Sequence, residues 1–198
     1  MRLIIATKNK GKLREIKAIL KGLGISIISL DDLDKKIRIV ENGKTFIENS
    51  SKKAIPVSKI YKKDYILGED SGLEVDCLDK KPGIYSKRYA GKYATDAKNN
   101  KKLLRALAGV GPKKRGAQYR CCLVLAKAGK IIEVFEGKLR GKIHTVSKGA
   151  NGFGYDPVFY LPGYKKTVAQ LPLPVKNRIS HRAKAFRKLK KYLVPLCS

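Results

Sequence analysis

Carboxylate side chains, which are scarce in this chain, gather in one short segment. Five of the 16 acidic residues lie within eleven positions, at Glu69, Asp70, Glu74, Asp76 and Asp79, whereas the whole chain carries 45 lysines and arginines and a formal charge of +29. Such a cluster would repel a phosphate group unless a metal ion came between them. Because Mg²⁺ prefers oxygen ligands and needs only one or two carboxylates beside substrate phosphates, the segment is typical of a metal–phosphate site. A solvated acidic turn is the plain alternative.

Two other stretches could complete such a site. Glu41, in Glu41-Asn42-Gly43, could supply a further carboxylate. Between a predicted strand and a predicted helix, six residues could hold an anion, namely Thr7, Lys8, Asn9, Lys10, Gly11 and Lys12. Backbone N–H groups at a helix start, together with a lysine, form a ready anion site. The stretch is not a Walker A loop, since the first glycine is missing and Leu13 stands where Ser or Thr would bind Mg²⁺. A plain turn with solvated lysines would explain it equally well.

A glycine-rich loop at Gly152–Pro157 combines residue types that suit a nucleotide base. Its glycines, including Gly154, allow a ligand to approach the backbone closely. Phe153 and Tyr155 offer stacking faces, and Asp156 could accept hydrogen bonds from a sugar or a base. A tight turn with packed aromatic rings is the alternative interpretation.

The last basic segment could clamp a nucleotide. Ser180-His181-Arg182 places three donors at the start of a predicted helix, the end that favours anions, and Lys176 lies just upstream. A histidine that merely caps its helix would look the same in the sequence.

Hydrophobic spacing predicts the elements that must position these residues. A short strand at residues 2–6 is followed by a helix in which Leu13, Ile16, Ile19 and Leu20 recur at helical spacing, and then by a strand at residues 25–29. Thr45 opens a further predicted helix with a capping box, and Pro56 should kink or divide that helix. A strand is predicted at Tyr65–Gly68, a helix from Thr95-Asp96 to Leu107, and a hairpin turn at Ala128-Gly129. The last predicted helix runs from Ser180 to Leu193 and is stopped by Pro195. The acidic cluster would then follow a strand's carboxyl end, where α/β sheets bind ligands. Together these elements predict a mixed α/β sheet surrounded by helices.

Length and composition set the class of protein. With 198 residues, the chain can build one sizeable core, so we predict a single domain over residues 1–198. No apolar run approaches a membrane span, and the N-terminal apolar stretch is too short for a signal peptide. Cys77, Cys121, Cys122 and Cys197 show no metal spacing, as expected of thiols in a reducing compartment. These features predict a cytoplasmic protein with no membrane partner.

The charge of +29 supports a rival interpretation, a basic nucleic-acid-binding protein without enzymatic activity. The lysines and arginines are spread along the whole chain, however, rather than gathered in one arm. The rival also leaves the acidic cluster and the Phe-Gly-Tyr-Asp loop unexplained. We therefore expect only weak, salt-sensitive binding to polyanions and no specific nucleic-acid partner.

Taken in order, these stretches resemble the inosine/xanthosine triphosphate pyrophosphatase family, a house-cleaning group of enzymes. The resemblance covers nearly the whole chain. It is carried by Thr7–Lys12, Phe46–Asn49, Asp70–Leu73 with Asp76, Pro82–Ser86, Arg88–Gly91, Gly152–Phe159, Lys176 and Ile179–Arg182.

This resemblance implies both a fold and a reaction. It implies an elongated mixed β-sheet with flanking helices, two lobes around a central cleft, and a homodimer. The implied reaction is Mg²⁺-dependent hydrolysis of deaminated purine triphosphates (ITP, dITP and XTP) to monophosphate and pyrophosphate. An alternative closer to this interpretation than the nucleic-acid-binding protein is an enzyme of the same fold that acts on ordinary or other modified nucleotides. Thr7–Lys12 would cradle the triphosphate, Glu41 and Asp70 would bind Mg²⁺, and Asp70 would also accept the proton. The resemblance assigns substrate binding to Ser71, Phe153, Gly154, Tyr155, Asp156, Lys176, His181 and Arg182.

Three departures from the family pattern leave these site residues in place. Gln170 stands where a Glu is usual, the unusual Pro172-Leu173-Pro174 follows it, and Lys87 replaces a small residue. They bear on affinity and on the shape of one loop rather than on the chemistry.

Overall fold

The computed structural model describes residues 1–7, 9–35 and 37–197, without the side chains of Lys10 and Cys197. Within this part of the chain, the strands are β1 (Arg2–Ile5), β2 (Ser26–Ser29), β3 (Tyr65–Val75), β4 (Gly116–Lys127), β5 (Lys130–Ile143), β6 (Phe159–Leu161) and β7 (Lys166–Thr167). The α-helices are α1 (Lys10–Leu20), α2 (Phe46–Ile60), α3 (Asp96–Ala106), α4 (Leu173–Ile179) and α5 (His181–Cys197). None of these helices is long and apolar enough to cross a membrane.

The strands form one open sheet in the order β2-β1-β3-β4-β5-β6-β7. Strand β1 is parallel to both of its neighbours, β2 and β3, whereas β6 is antiparallel to β5 and to β7. The run Leu3-Ile4-Ile5 is fully buried, as expected of a parallel strand that is covered on both faces. The predicted mixed sheet with flanking helices is therefore confirmed.

The chain divides into two compact units. Unit 1 contains Met1–Asp70, Cys121–Gly137 and His181–Ser198, and unit 2 contains Ser71–Arg120 and Lys138–Ser180. Three strands, β3, β4 and β5, contribute residues to both units. The single domain and the central cleft stay predictions.

Unit 1 has a core on each face of β1, because successive side chains of a strand point to opposite sides. Leu3 and Ile5 belong to one buried cluster with Ile16 of α1 and Phe186 of α5. Ile4 belongs to another cluster, which contains Ala54 and Val57 of α2. Helices α1 and α5 therefore cover one face of β1 and α2 covers the other.

Unit 2 is organised around aromatic and aliphatic side chains of β4, β6 and α3. Leu103 and Leu107 are fully buried and belong to the same cluster as Phe159. The ring of Phe159 stacks on that of Tyr119, with 4.4 Å between the centroids. This core fixes α3 beside the loop that precedes β6.

Several sequence predictions of local structure are confirmed. The side-chain oxygens of Thr45 and Thr95 cap α2 and α3 by accepting hydrogen bonds from the third residue of each helix. Ala128 and Gly129 both have positive φ, at 49° and 83°, which is the backbone that a tight hairpin turn between β4 and β5 requires. Asn9 caps α1, so the Thr7–Lys12 stretch does join a strand to a helix.

Two predictions of local structure are wrong, those for the end of β3 and for the stop at Pro195. Strand β3 does not end at Gly68 but continues through the acidic cluster to Val75. Pro195 lies inside α5 instead of stopping it. Pro56 lies inside α2 without dividing it, and the kink stays a prediction. The Pro172-Leu173-Pro174 departure opens a short helix, α4, because proline is tolerated in a first helical turn.

Candidate active site

Asp70 lies in the middle of β3 and is 7 % exposed. Its Oδ2 accepts a hydrogen bond of 3.1 Å from Nδ2 of Asn49, and its Oδ1 accepts one of 3.1 Å from Nζ of Lys53. Burial raises the pKa of Asp70 above its ordinary value, although the charge of Lys53 opposes the rise. Asp70 is therefore a carboxylate held in a defined orientation and poised to take up a proton.

Lys53 joins the two predicted metal ligands. Its Nζ lies 2.8 Å from Oε2 of Glu41 and 3.1 Å from Oδ1 of Asp70, and it also donates to the carbonyl oxygen of Glu69. Burial by itself would lower the pKa of Lys53, but the charges of Asp70 and Glu41 outweigh it, so the pKa is raised. The buried ammonium therefore stays charged and brings the two carboxylates to one place.

Local packing explains why Asn49 and Lys53 meet Asp70. They are four residues apart and so share one face of α2. A Cβ atom on Gly68 would lie 2.0 Å from the backbone oxygen of Ser50, so only glycine at this position lets α2 approach β3 so closely. Gly43 donates a 2.8 Å hydrogen bond to Oδ1 of Asn49, which leaves the amide nitrogen to face Asp70.

Glu69 precedes Asp70 and lies on the opposite face of β3, because side chains alternate along a strand. It is 1 % exposed and pairs with Nζ of Lys12 at 3.1 Å and with Nη2 of Arg182 at 3.3 Å. Burial would raise the pKa of Glu69, but these two cations reverse the effect and hold it well below its usual range. The Arg182 guanidinium also pairs with Glu15, so two buried carboxylates fix its position.

The predicted phosphate loop is partly organised by its own side chains. Oδ1 of Asn9 accepts from the backbone N–H of Lys12 at 3.0 Å, and Oγ1 of Thr7 accepts from that of Asn9 at 3.2 Å. Lys8 lies outside the described residues, as does the side chain of Lys10. Gly11 lies in the first turn of α1. The loop brings the Lys12 ammonium to Glu69, and its role as a phosphate cradle stays a prediction.

Unit 2 assembles three of the predicted base-binding residues. Asp156 is 4 % exposed, and its Oδ2 accepts from Nζ of Lys176 at 2.8 Å and from the backbone N–H of Phe153 at 3.0 Å. Its Oδ1 accepts a 3.2 Å hydrogen bond from the hydroxyl of Tyr119. Nζ of Lys176 also lies 4.3 Å from the centroid of the Phe153 ring, whose residue is 39 % exposed. Unit 2 thus presents an accessible aromatic ring beside a fixed ammonium.

The loop backbone depends on glycine at Gly152. Its φ is +84°, and a Cβ atom there would lie 2.1 Å from Oδ2 of Asp156. Tyr155 is buried, and its hydroxyl donates a 2.8 Å hydrogen bond to the backbone oxygen of Ser86. We therefore describe Tyr155 as a support of the loop, and its stacking on a base stays a prediction.

The remaining predicted residues are placed as follows. Ser71 is a half-buried residue of β3, and His181, which begins α5, is 8 % exposed. Sequence reasoning missed four residues that the structure ties to the predicted ones, namely Glu15, Asn49, Lys53 and Tyr119. The signal for Asn49 and Lys53 was their helical spacing after the Thr45 cap, on the face of α2 that covers β3.

The donor set suits a hard divalent cation. Glu41 and Asp70 have oxygens within hydrogen-bond distance of one atom, Nζ of Lys53, and Mg²⁺ is commonly held by one or two carboxylates together with substrate phosphates and water. The described residues hold no cluster of three or more His, Cys, Asp or Glu side chains that would make a complete protein cage. Glu41 and Asp70 are thus the two carboxylates placed to bind a cation here, and Mg²⁺ itself stays a prediction.

Comparison with known proteins decides the family. The sequence model of the Ham1 family matches residues 3–192. The chain belongs to the Ham1 family. The resemblance found in the motifs is thereby confirmed over nearly the full length.

Curated relatives and solved structures of the Ham1 family agree with this placement. The chain is 47 % identical over 192 residues to a dITP/XTP pyrophosphatase of Geobacter sulfurreducens, covering 97 % of this chain and 96 % of the relative. It is 45 % identical over 193 residues to one of Listeria monocytogenes, covering 98 % of this chain and 95 % of the relative. Its fold is similar to that of the Ham1 protein of Staphylococcus aureus, with a TM-score of 0.90, 37 % identity, and 99 % and 100 % of the two chains covered.

Proposed function

We propose that this Ham1-family chain is a Mg²⁺-dependent pyrophosphatase that hydrolyses ITP, dITP and XTP to nucleoside monophosphate and pyrophosphate. The observation that carries the proposal is the joining of Glu41 and Asp70 by the Lys53 ammonium, a charge arrangement suited to a metal–phosphate substrate. Relatives with 43–47 % identity named dITP/XTP pyrophosphatases support the choice of substrate.

In this reaction, water attacks the α phosphorus in line with the leaving pyrophosphate. Asp70 orients the water and accepts its proton, a role that suits a buried carboxylate whose pKa is raised. Asn49 and Lys53 fix both oxygens of Asp70, so the carboxylate needs little reorganisation during the step. Mg²⁺ held by Glu41 and Asp70 would offset the charge that develops on the phosphate oxygens. Lys12 and the N-terminal amides of α1 would hold the phosphate chain.

We assign base recognition to the group formed by Phe153, Asp156 and Lys176. The exposed Phe153 ring offers a stacking face, and the ammonium of Lys176, fixed on Asp156, offers a donor. ITP and XTP present an acceptor, O6, to such a donor, whereas ATP presents an amino group. A mismatch of this kind sets the Lys176 ammonium against the amino group of ATP, and polar mismatches discriminate by up to ~10⁴–10⁵.

The further expectations from the sequence are part of the same proposal. We propose a cytoplasmic enzyme that acts as a homodimer and has no specific nucleic-acid partner. The charge of +29 would give weak binding to polyanions that is lost as salt is added. Selective, salt-resistant RNA binding would instead support the rival interpretation.

One assay tests this function. Pyrophosphate release would be measured from ITP, XTP, dITP, GTP and ATP, with and without Mg²⁺. We expect release only with Mg²⁺ and kcat/KM values for ITP and XTP well above that for ATP. GTP carries the same O6 acceptor, so its kcat/KM shows whether a second contact distinguishes position 2 of the base. Equal cleavage of ATP would refute the selectivity but keep the chemistry, whereas absence of pyrophosphate from every substrate would refute the function.

A further inference from the structure

Two side chains of α3 hold the backbone of one residue, Gly154, in the glycine-rich loop Gly152–Pro157, which we call the base-recognition loop. Oδ2 of Asp96 accepts a 2.6 Å hydrogen bond from the backbone N–H of Gly154, and Nδ2 of Asn100 donates a 3.0 Å hydrogen bond to the Gly154 carbonyl oxygen. Asp96 and Asn100 are four residues apart and so lie on one face of the helix. Both polar backbone groups of a single loop residue are thereby bound to α3. We call this pair of contacts the Gly154 clamp.

The clamp acts on the residue between Phe153 and Tyr155. Gly154 has φ +64°, a left-handed conformation that glycine adopts without steric cost, and open space surrounds the position where a Cβ would stand. The backbone here is thus set by hydrogen bonds rather than by crowding. A groove of about 820 Å³ runs along α3 and this loop, lined in part by Leu104, Ala108 and Pro157. Side-chain packing does not fill the space on this side of the loop, so the clamp holds Gly154 itself, while contacts of Asp156 and Tyr155 hold the residues beside it.

Helix α3 is a firm support for such a clamp. The Thr95 side chain caps its first turn, and Leu103 and Leu107 are fully buried in the core of unit 2. Asn100 is 6 % exposed, so its amide is held in a restricted volume, whereas Asp96 stands at the exposed start of the helix. The orientation of the Asn100 amide follows from its partner, because only the NH₂ side can donate to the Gly154 carbonyl.

We propose that Asp96 and Asn100 are positioning residues for base selectivity. This inference rests on the proposed function, because it takes Phe153 and Asp156 as the groups that meet the base. Neither Asp96 nor Asn100 needs to contact the substrate. They fix the peptide next to Phe153, so that the ring and the Asp156–Lys176 pair are already arranged when a nucleotide arrives. Pre-organisation of this kind lowers the cost of binding, and it affects selectivity because a donor rejects a mismatched base only when it cannot move away.

Three substitutions separate the clamp from general effects on α3. Asn100→Asp keeps the shape but sets a carboxylate oxygen against the Gly154 carbonyl, and Asp96→Ala removes the acceptor at an exposed position where folding is not at risk. Asp96→Asn is the conservative rescue, since its amide oxygen can still accept from the Gly154 N–H. Lys98→Ala, at an exposed position of the same helix away from the groove, is the matched control.

The first readout is hydrogen exchange. We expect Asp96→Ala and Asn100→Asp to speed amide exchange in residues 152–156 while the midpoint of thermal unfolding of Asp96→Ala stays within about 2 °C of wild type. Asp96→Asn and Lys98→Ala should exchange as wild type does. Unchanged exchange in both clamp variants would overturn the inference, because the loop would then be held by something else.

The second readout is steady-state kinetics with ITP and ATP. Loss of one clamp hydrogen bond should raise KM for ITP about tenfold with kcat nearly unchanged, and should narrow the ratio of kcat/KM between ITP and ATP. A wild type that does not favour ITP would refute the proposed base selectivity, and this inference with it, but not the pyrophosphatase chemistry. A wild type that favours ITP, combined with clamp variants that exchange faster but keep the wild-type KM and selectivity, would overturn the inference alone.

Discussion

Replacing Lys53 with methionine removes the ammonium that Glu41 and Asp70 share and keeps most of the side-chain volume. Removing one partner of a buried ion pair costs about 3–5 kcal/mol. We expect a loss at the lower end of this range, about 3 kcal/mol, because the Glu41 side chain is 46 % exposed and water can hydrate it. The cost therefore falls mainly on Asp70, whose side chain is 11 % exposed. For a chain of this length, that loss lowers the midpoint of thermal unfolding by about 6–12 °C.

The pH dependence of this loss identifies its source. Burial already raises the pKa of Asp70, and Lys53 opposes the rise, so Lys53→Met should raise that pKa further. A carboxyl whose pKa in the folded state exceeds its value in the unfolded state favours folding at low pH and loses that contribution as pH rises. In metal-free buffer, the difference in stability between the variant and wild type should therefore shrink as pH falls from 7 to about 4.

Matched variants make the test decisive. Lys52→Met alters the neighbouring lysine, which is half-buried and contacts Asn42, and should change stability by no more than about 0.5 kcal/mol. Lys53→Met combined with Asp70→Asn removes both charges and should be more stable than Lys53→Met alone. Thermal and urea unfolding measure each step. Equal stability of the Lys53 and Lys52 variants, or a deficit that does not change with pH, would refute the reasoning.

The remaining predictions concern activity. Asp70→Asn should lower kcat at least ~10²-fold without loss of fold. Asp76→Asn, which alters an exposed ion pair, is the control and should keep most activity. If Asp70→Asn keeps more than half of the wild-type activity, Asp70 has no part in the mechanism. Lys12→Ala should impair pyrophosphate release and Lys188→Ala should not, since the charge of Lys188 is exposed and screened. Equal losses would mean that diffuse charge binds the substrate. Lys176→Met should narrow the ratio of kcat/KM between ITP and ATP, and an unchanged ratio would place the discriminating donor elsewhere.

Much of the fold could be predicted from the sequence because it depends on local rules. Thr45 and Thr95 cap their helices through contacts three residues away, and the turn at Ala128-Gly129 needs only a backbone with positive φ. Motifs likewise located Asp70 and the Phe153–Asp156 loop. Each of these signals is contained in a few consecutive residues, so no knowledge of the tertiary structure was needed.

The residues that were missed depend on contacts between distant parts of the chain. Lys53 is one of 45 lysines and arginines, and only its approach to Asp70 across the contact of α2 with β3 distinguishes it. That approach depends in turn on Gly68, which the sequence marks only as the last residue of a predicted strand. Helix α4 was missed because Pro172 and Pro174 look unfavourable for a helix. In the structure Pro172 directly precedes α4 and Pro174 lies in its first turn, where proline is tolerated.

The length of β3 changes how the acidic cluster should be understood. In a loop, Glu69 and Asp70 could both have faced a metal, but in a strand they point to opposite faces. Asp70 meets α2 and the Lys53 ammonium, whereas Glu69 meets Lys12 and Arg182 on the side of α1 and α5. Arg182 is 2 % exposed and bound to Glu69 and Glu15, so any contact with a base would have to be shared with two carboxylates. Its role as a substrate residue stays a prediction, and Lys176 is the stronger candidate for the donor that selects O6.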